Sequence, residues 1–202
     1  MNALELFRLD GRIALVTGGA RGLGKGMALA LASAGADVAV VGLNRQGLEA
    51  VAGEIARMGR RSLAVVADLS EIEKLPALVE DVEARFGPVD ILVNNSGIIR
   101  RAAADEYDPA DWDAVLRLNL TAVFHLCQLI GRGMLRRGRG KIINVASVLS
   151  FQGGILVPAY TASKSGLAGL TRALARSCEL LNSHASRNDG VSNHQEAPRC
   201  IQ

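Results

Sequence analysis

Short apolar runs rich in β-branched residues recur along the chain, separated by longer segments with a helical period. Each run places apolar side chains at consecutive positions, which is typical of strands buried on both faces of a parallel sheet. Five strands are therefore predicted. They cover Arg12–Thr17, Asp37–Val41, Ser62–Val66, Val89–Asn94 and Lys141–Ala146.

The segments between these runs are rich in Ala, Leu and Glu and are long enough for right-handed crossover helices. The predicted helices cover residues 23–34, 45–58, 71–86, 110–137 and 158–176. This alternation predicts an α/β fold with a doubly wound, Rossmann-like parallel sheet. Ligands of such sheets bind at the carboxyl ends of the strands.

Composition narrows the class of protein. A chain of 202 residues suits one domain, and 49% hydrophobic with 21% charged residues is ordinary for a globular protein. The net charge of +3 is too small to indicate a nucleic acid or an anionic membrane as partner. We therefore expect neither.

Targeting and metal signals are weak. Glu5 and Asp10 interrupt the apolar positions that a signal peptide needs, and no later apolar run approaches the length of a membrane span. We expect a cytoplasmic protein without a membrane partner. The cysteines and histidines lack the spacing of a zinc site, so reduced thiols and no metal are expected. The residues concerned are Cys127, Cys178, Cys200, His184 and His194.

The first strand is followed by a glycine-rich turn, Thr17–Gly24, which reads TGGARGLG. Its glycines let the backbone turn tightly and approach a pyrophosphate, while the next helix presents free N–H groups at its positive end. The spacing differs from G-x-G-x-x-G, and a glycine-rich turn alone is weak evidence. Its position between the first strand and the first helix favours a dinucleotide site.

Near the start of the last predicted helix, at residues 158–176, the chain reads YTASK, from Tyr160 to Lys164. Residues four apart share one face of a helix, so the lysine ammonium can lie close to the tyrosine and favour its ionised form. The pair taken alone is equally typical of two exposed side chains on a solvated helix. The surrounding motifs must decide between these interpretations.

Four motifs together resemble the short-chain dehydrogenase/reductase family: Thr17–Gly24, NNSG at Asn94–Gly97, NVAS ending at Ser147, and YTASK. The resemblance extends from about residue 12 to residue 175 and follows the order of the predicted elements. It implies a nicotinamide-dependent oxidoreductase with a small-molecule substrate.

Two stretches narrow the resemblance. Ser96–Arg101 and Ser150–Gly166 are similar to bacterial sugar-acid dehydrogenases that act on 2-deoxygluconate and 3-deoxy-ketogluconates. The implied reaction moves a hydride between the cofactor and a secondary alcohol or ketone of a sugar acid. A 3-oxoacyl-type reductase of the same family shares the catalytic residues and stays an alternative.

Ser147, Tyr160 and Lys164 match the family's catalytic trio, and Asn119 matches its fourth catalytic member. The resemblance implies that Tyr160 removes the substrate hydroxyl proton while Ser147 holds the developing carbonyl oxygen. Lys164 would also bind the nicotinamide ribose, and Asn119 would hold a water in a proton relay. Since free tyrosine ionises only near pH ~10, this chemistry needs a nearby positive charge.

The choice between NAD and NADP stays open. An NAD site usually has a carboxylate at the end of the second strand, where this chain reads GLNR at Gly42–Arg45. Arg21 and Arg45 would neutralise a 2′-phosphate, which favours NADP, although both are equally explained as solvated side chains. The sugar-acid resemblance favours NAD.

The resemblance also implies a set of cofactor-binding positions, in which Asp68 contacts adenine and Asn94 lies beside the adenosine ribose. Tyr160 and Lys164 complete the set at the nicotinamide end. The other members are Thr17, Gly18, Arg21, Gly22, Leu23, Gly24, Asn44, Arg45, Leu69, Ser96 and Gly97.

Three polar residues are candidates for substrate contact. Arg100 and Arg101 follow the NNSG turn, and an arginine fork binds the carboxylate of a sugar acid in a bidentate manner. Both are equally explained as solvated loop residues. Gln152 is a candidate by its position between Ser147 and Tyr160.

The chain changes character after Ser177. Residues 178–202 have no sustained strand or helix period, so we expect a dinucleotide-binding catalytic domain at 1–177, incomplete by comparison with the family, and an irregular tail at 178–202. A truncated chain, with a shifted reading frame beyond Ser177, is the expected origin. A catalytically impaired nucleotide-binding remnant is thus the alternative function. The intact family implies a homo-oligomer, and this chain is expected to associate through an open sheet edge.

Overall fold

The sheet is the centre of the molecule. The structure, a computed structural model, describes the backbone of residues 3–188 and the surroundings of side chains 5–176. Five parallel strands form one sheet in the order β3-β2-β1-β4-β5, which confirms the predicted doubly wound fold. The strands are β1 (Ile13–Thr17), β2 (Asp37–Gly42), β3 (Ser62–Val66), β4 (Ile91–Asn94) and β5 (Lys141–Asn144).

Helices cover both faces of the sheet. They are α1 (Gly22–Ser33), α2 (Arg45–Arg57), α3 (Leu75–Phe86), α4 (Pro109–Leu116), α5 (Ala122–Arg136) and α6 (Pro158–Asn188). Short 3₁₀ turns occur at Ala3–Phe7, Ile72–Lys74 and Val148–Ser150. Every predicted crossover helix is present.

Alternate residues of the strands belong to two hydrophobic cores, one on each face of the sheet, because successive side chains in a strand point to opposite faces. Leu15, Leu92 and Ile142 pack on one face with side chains of α3, α5 and α6. Val16 and Val40 pack on the other face with side chains of α1 and α2. The consecutive apolar positions of the strands are thereby explained, and the carboxyl ends of all five strands open at one edge.

The predicted helix at 110–137 is interrupted. A π-helical turn at Arg117–Thr121 separates α4 from α5, and Asn119 lies inside this turn. Such a turn inserts one residue into the helical repeat and is common at functional sites. It turns Asn119 fully into the interior, where its side chain is 0% exposed.

Helix α6 is longer than predicted, since its backbone continues to Asn188 instead of ending near residue 176. The prediction of irregular structure from residue 178 is therefore wrong as far as residue 188. Once a helix has formed, each added residue gains a hydrogen bond at low cost, and no Gly or Pro occurs between Gly169 and Asn188 to stop it. Residues 189–202, including His194 and Cys200, lie outside the described part of the chain.

The helical segment Pro109–Arg136, which includes the π turn, resembles a membrane span in its length and composition. Its 28 residues contain a window that is long and apolar enough to cross a bilayer by length and composition alone. The expectation that no apolar run approaches that length is wrong on this count. Leu126 and Ile130 nevertheless belong to the sheet core, and a core helix passes the same test.

Candidate active site

Thr17 ties together the two loops at the point where the strand order reverses. Its hydroxyl oxygen accepts hydrogen bonds from the backbone N–H groups of Asn95 at 2.8 Å and Ser96 at 2.9 Å. The Asn95 amide in turn donates to the Thr17 carbonyl oxygen at 3.0 Å. The loops after β1 and β4 therefore form one unit at the crevice where doubly wound sheets bind ligands.

The turn after β1 leaves backbone N–H groups open for an anion. Gly18 has a φ of +65°, a conformation that favours glycine. Helix α1 begins after Arg21, whose side chain makes no capping hydrogen bond. The first N–H groups of α1 therefore have no side-chain acceptor at its N-cap, and the helix dipole adds partial positive charge there.

Gly24 has no room for a side chain. A Cβ atom there would lie 2.6 Å from Asn95 Nδ2 and closer still to the Gly18 carbonyl oxygen, whereas a Cβ at Gly26 would meet nothing within 4 Å. The tight fit brings the turn against the start of α1. The cradle thus fits the pyrophosphate of a dinucleotide, which needs close approach of bare backbone.

We expect Gly24→Ala to lower stability and to abolish dinucleotide binding, because the new methyl group must displace the Gly18 carbonyl. Overpacking of this kind costs about 1–3 kcal/mol. Gly26→Ala, two residues further along α1, should raise stability by up to about 1 kcal/mol, because alanine favours a helix over glycine. Thermal melts with and without dinucleotide test both variants. Equal stability of the two would contradict the cradle geometry.

A cavity of about 630 Å³ extends from the glycine turn across the ends of the strands. Its volume is that of a typical small-molecule site. It carries predicted cofactor positions on the four loops that follow β1, β2, β3 and β4. Those that line it are Gly18, Arg21, Gly22, Leu23, Gly24, Asn44, Asp68, Leu69, Ser96 and Gly97.

Other predicted positions do not line this cavity. Thr17 is buried under the loops, and Asn94 is 2% exposed, with its amide donating to the Asn144 side-chain oxygen at 2.9 Å. Arg45 projects from the start of α2, with an exposed ion pair to Glu49 at 3.6 Å. Tyr160 and Lys164 lie on α6 and are not among the residues that line the cavity.

One side of the cavity is formed by the residues that follow β2 and β3. Asn44 is the N-cap of α2, and its side chain accepts from the Gly47 N–H at 3.1 Å. Asp68 is fixed by its Oδ1 atom, which accepts from the Ser70 N–H at 2.8 Å and the Ser70 hydroxyl at 2.7 Å. Residues Gly42–Asn44 bring no carboxylate to the end of β2.

Ser147 is fixed by hydrogen bonds within the loop that follows β5. It is half-buried and caps the 3₁₀ turn at Val148–Ser150, with its hydroxyl oxygen accepting from the Leu149 N–H at 3.2 Å. The Ser150 hydroxyl accepts from the Ser147 N–H at 3.2 Å and donates to the Lys164 carbonyl oxygen at 2.8 Å. The serine loop is thereby attached to α6.

Lys164 is buried beside Tyr160. Its ammonium donates to the Val145 carbonyl oxygen at 2.6 Å and lies 5.8 Å from the centre of the Tyr160 ring. Only 4% of Lys164 is exposed, and this burial lowers the pKa of its ammonium from the ordinary value. The two residues are therefore neighbours in a partly dry environment, as the helical spacing predicts.

Asn119 is held by its side-chain amide on two sides. Its Oδ1 atom accepts from the Ile98 N–H at 2.9 Å, and its Nδ2 atom donates to the Ile98 carbonyl at 2.9 Å. A further Nδ2 hydrogen bond reaches the Ser163 hydroxyl at 3.2 Å. Both amide hydrogens are engaged. A water held by the Asn119 side chain would therefore have to donate a hydrogen bond to its Oδ1 atom.

The candidate substrate residues lie on two loops that touch. The Ala102 N–H donates to the Leu156 carbonyl oxygen at 3.1 Å, which brings the loop of Arg101 next to the loop of Gln152. Arg101 and Gln152 are exposed. Arg100 is paired through Nε with Asp111 at 3.1 Å.

Several site residues were not identified from the sequence. Asn95, Ser150 and Ser163 connect the loops and α6 through the hydrogen bonds described above. Asn95 was within reach of prediction because it lies inside the NNSG motif. The two serines carry no sequence signal, since their partners are 14 and 44 residues away in the chain. Among the described residues, no cluster of three or more His, Cys, Asp or Glu side chains is placed to hold a metal ion.

Comparison with known proteins agrees with this geometry. The family model described as short chain dehydrogenase matches residues 12–182. The chain is 50% identical over 173 residues to the 2-dehydro-3-deoxy-D-gluconate 5-dehydrogenase of Escherichia coli (strain K12), which covers 85% of this chain and 68% of that protein. This chain thus spans about two thirds of its relative's length.

Solved structures give the same result. A gluconate 5-dehydrogenase from Burkholderia cenocepacia J2315, in complex with NADP and tartrate, is 40% identical with a TM-score of 0.82, over 87% of this chain and 70% of that one. A 3-oxoacyl (acyl-carrier-protein) reductase from Agrobacterium tumefaciens C58 with NADP bound is 33% identical with a TM-score of 0.85, over 90% of this chain and 70% of that one.

Proposed function

The chain belongs to the short-chain dehydrogenase family, whose members are NAD(P)-dependent oxidoreductases, and from this premise we propose that it oxidises a secondary alcohol of a sugar acid or reduces the matching ketone. The observation that carries the proposal is the 50% identity to a 2-dehydro-3-deoxy-D-gluconate 5-dehydrogenase. The bare backbone cradle at Gly18–Gly24 and the neighbouring side chains of Tyr160 and Lys164 on α6 support that chemistry. A bound nicotinamide supplies the hydride acceptor or donor.

Ser147 would hold the oxygen of the reacting carbon. Its hydroxyl oxygen accepts from Leu149, so its proton is available for the substrate oxygen, whose negative charge grows during hydride transfer. The capping box at Ser147 and Ser150 fixes this orientation before substrate binds. The serine therefore contributes a preorganised donor.

Tyr160 would move the proton of the substrate hydroxyl. The Lys164 ammonium lies 5.8 Å from its ring centre, and because Lys164 is buried, little water screens its charge from the site. The bond from Lys164 to the Val145 carbonyl oxygen fixes the position of this charge. The role of Asn119 would be to support this end of the site.

NADP(H) is the proposed preference. The end of β2 offers Gly42, Leu43 and Asn44 to the cavity and no carboxylate for a ribose 2′-hydroxyl. Arg21 lines the cavity, and Arg45 is exposed one residue beyond Asn44, so both are available to a 2′-phosphate. The two solved relatives described above carry NADP.

Arg101 is the better candidate for the carboxylate of a sugar acid, because the Arg100 guanidinium already pairs with Asp111. Gln152 would assist from the neighbouring loop. In the proposed arrangement residues 1–177 form the catalytic domain of a cytoplasmic protein. Assembly with further copies through the open edge of β5, where Ile143 is 40% exposed, stays a prediction.

We expect NADPH to raise the melting temperature, because all residues of its proposed cradle lie in the described fold. At about 100 times the dissociation constant, the ligand adds roughly 2.7 kcal/mol to the free energy of unfolding. For a chain of this size this corresponds to about 5–10 °C. NADH at equal concentration should produce a smaller shift.

The same preparation tests the reaction. Oxidation of gluconate or of 2-dehydro-3-deoxygluconate, followed by NADPH absorbance, is expected where the melt responds. A melt that neither dinucleotide moves would contradict the proposed function. A melting shift without turnover of any sugar acid would favour the alternative of a nucleotide-binding remnant, and turnover of 3-oxoacyl substrates alone would favour the reductase.

A further inference from the structure

Ser163 lies in α6 directly before Lys164, and the proposed mechanism gives it no role. Its side chain is 0% exposed. The hydroxyl donates to the Tyr160 carbonyl oxygen at 2.8 Å and accepts from Asn119 Nδ2 at 3.2 Å. Because the site is closed to water, no solvent molecule can replace either partner if the hydroxyl is removed.

Asn119 carries this contact onward to the cofactor cavity. The same amide makes two hydrogen bonds of 2.9 Å to the backbone of Ile98, and Ile98 lines the cavity. A Cβ on Gly97 would lie 3.1 Å from Asn119 Oδ1, so the amide packs closely against the cavity wall. A continuous chain of hydrogen bonds, buried between Ser163 and Asn119 and partly buried at Ile98, therefore joins α6 to that wall.

We propose that Ser163 is a positioning residue that fixes the Asn119 amide and, through it, the Ile98 wall of the dinucleotide site. Without the Ser163 oxygen one Nδ2 hydrogen of Asn119 loses its acceptor. The amide can then regain a partner only by rotating away from Ile98. The inference rests on the proposed function, since it assumes that the cavity binds a nicotinamide dinucleotide.

A second serine provides a matched comparison. Serine hydroxyls in helices often bond a carbonyl three or four residues earlier, without further consequence. Ser33 does this at the end of α1, where it donates to the Ala30 carbonyl oxygen at 2.8 Å on an exposed surface. Ser163 makes the same local bond. Only its buried contact with Asn119 is expected to affect the cavity.

NADPH fluorescence titration of the full chain tests the inference without a substrate. Ser163→Ala is expected to raise the dissociation constant about tenfold, as the loss of a buried hydrogen bond does. Asn119→Ala should raise it at least as much, and the double variant should match Asn119→Ala alone, because both changes break one pathway. Ser33→Ala should bind NADPH like the unaltered chain.

A conservative variant separates the hydroxyl from its volume. Ser163→Cys fills the same space with a weaker acceptor, so its dissociation constant should lie between those of the unaltered chain and Ser163→Ala. Unchanged NADPH binding by Ser163→Ala, or additive effects in the double variant, would overturn the inference about Ser163 and leave the proposed function intact. If the unaltered chain binds no dinucleotide, the proposed function fails and the inference fails with it.

Discussion

Tyr160→Phe is expected to lower kcat for sugar-acid oxidation by about 10²–10⁴-fold, the usual contribution of a positioned general acid or base. The substitution removes only the phenol oxygen from a half-buried ring. The ring remains beside the Lys164 ammonium, so the fold and the NADPH-induced melting shift should persist. Steady-state kinetics of the purified variant, with a parallel melt, measure both effects.

The other tyrosine of the chain is a matched control, because the sequence contains two. The Tyr107 hydroxyl donates to the Arg100 carbonyl oxygen at 3.3 Å, outside the cluster around Lys164. Tyr107→Phe should therefore retain turnover within about twofold, since one long and partly exposed hydrogen bond contributes little. Comparable turnover in the two variants would refute the assignment of Tyr160.

The fold was predictable because its strongest signals are local. Consecutive apolar residues such as Val38–Val41 can be buried only when helices cover both faces of a sheet, and the structure buries all four. The glycine turn was predictable for the same reason. Its position after β1, and not its spacing alone, indicated the phosphate cradle.

The π turn was not predictable, because the apolar period continues through it. Leu116 and Leu120 are four residues apart, as on one face of an unbroken helix, and nothing in this spacing marks the inserted residue. Tertiary contacts decide the matter: the Asn119 amide must meet both Ile98 and Ser163 in the interior. A buried amide with three hydrogen bonds favours the turn despite its irregular geometry.

The substrate side was predictable only in part. An arginine after the NNSG turn reaches the cleft by topology, but the sequence does not reveal that Asp111, eleven residues away, pairs with Arg100. Thr17 shows the reverse. It belongs to the cofactor motif, yet its hydroxyl is used by the backbone of Asn95 and Ser96. The pairing of Arg100 and the hydrogen bonds of Thr17 both depend on contacts between separate elements of the fold.

Lys164→Met is expected to abolish most turnover while leaving the chain at least as stable near neutral pH. Methionine replaces the stem of Lys164 but supplies no charge for Tyr160, so the activity that remains should have its optimum at higher pH. Burial disfavours the Lys164 ammonium, and replacing a buried charge by an apolar side chain is often neutral or stabilising. In Lys164→Met, kinetics across pH should therefore show lower turnover, whereas thermal melts should show an equal or higher melting temperature.

The pH dependence of the free energy of unfolding shows whether the buried Lys164 ammonium stabilises or destabilises the fold. Burial lowers the pKa of Lys164 in the folded chain, so between that pKa and the ordinary lysine value the unfolded chain binds more protons. Stability from this group therefore rises with pH across that window, and below it the full cost of the buried charge is present. Lys164→Met should remove the rise. Lys74→Met, which deletes an exposed ammonium paired with Glu71, should keep it. An unchanged alkaline rise in Lys164→Met would show that Lys164 carries no burial penalty.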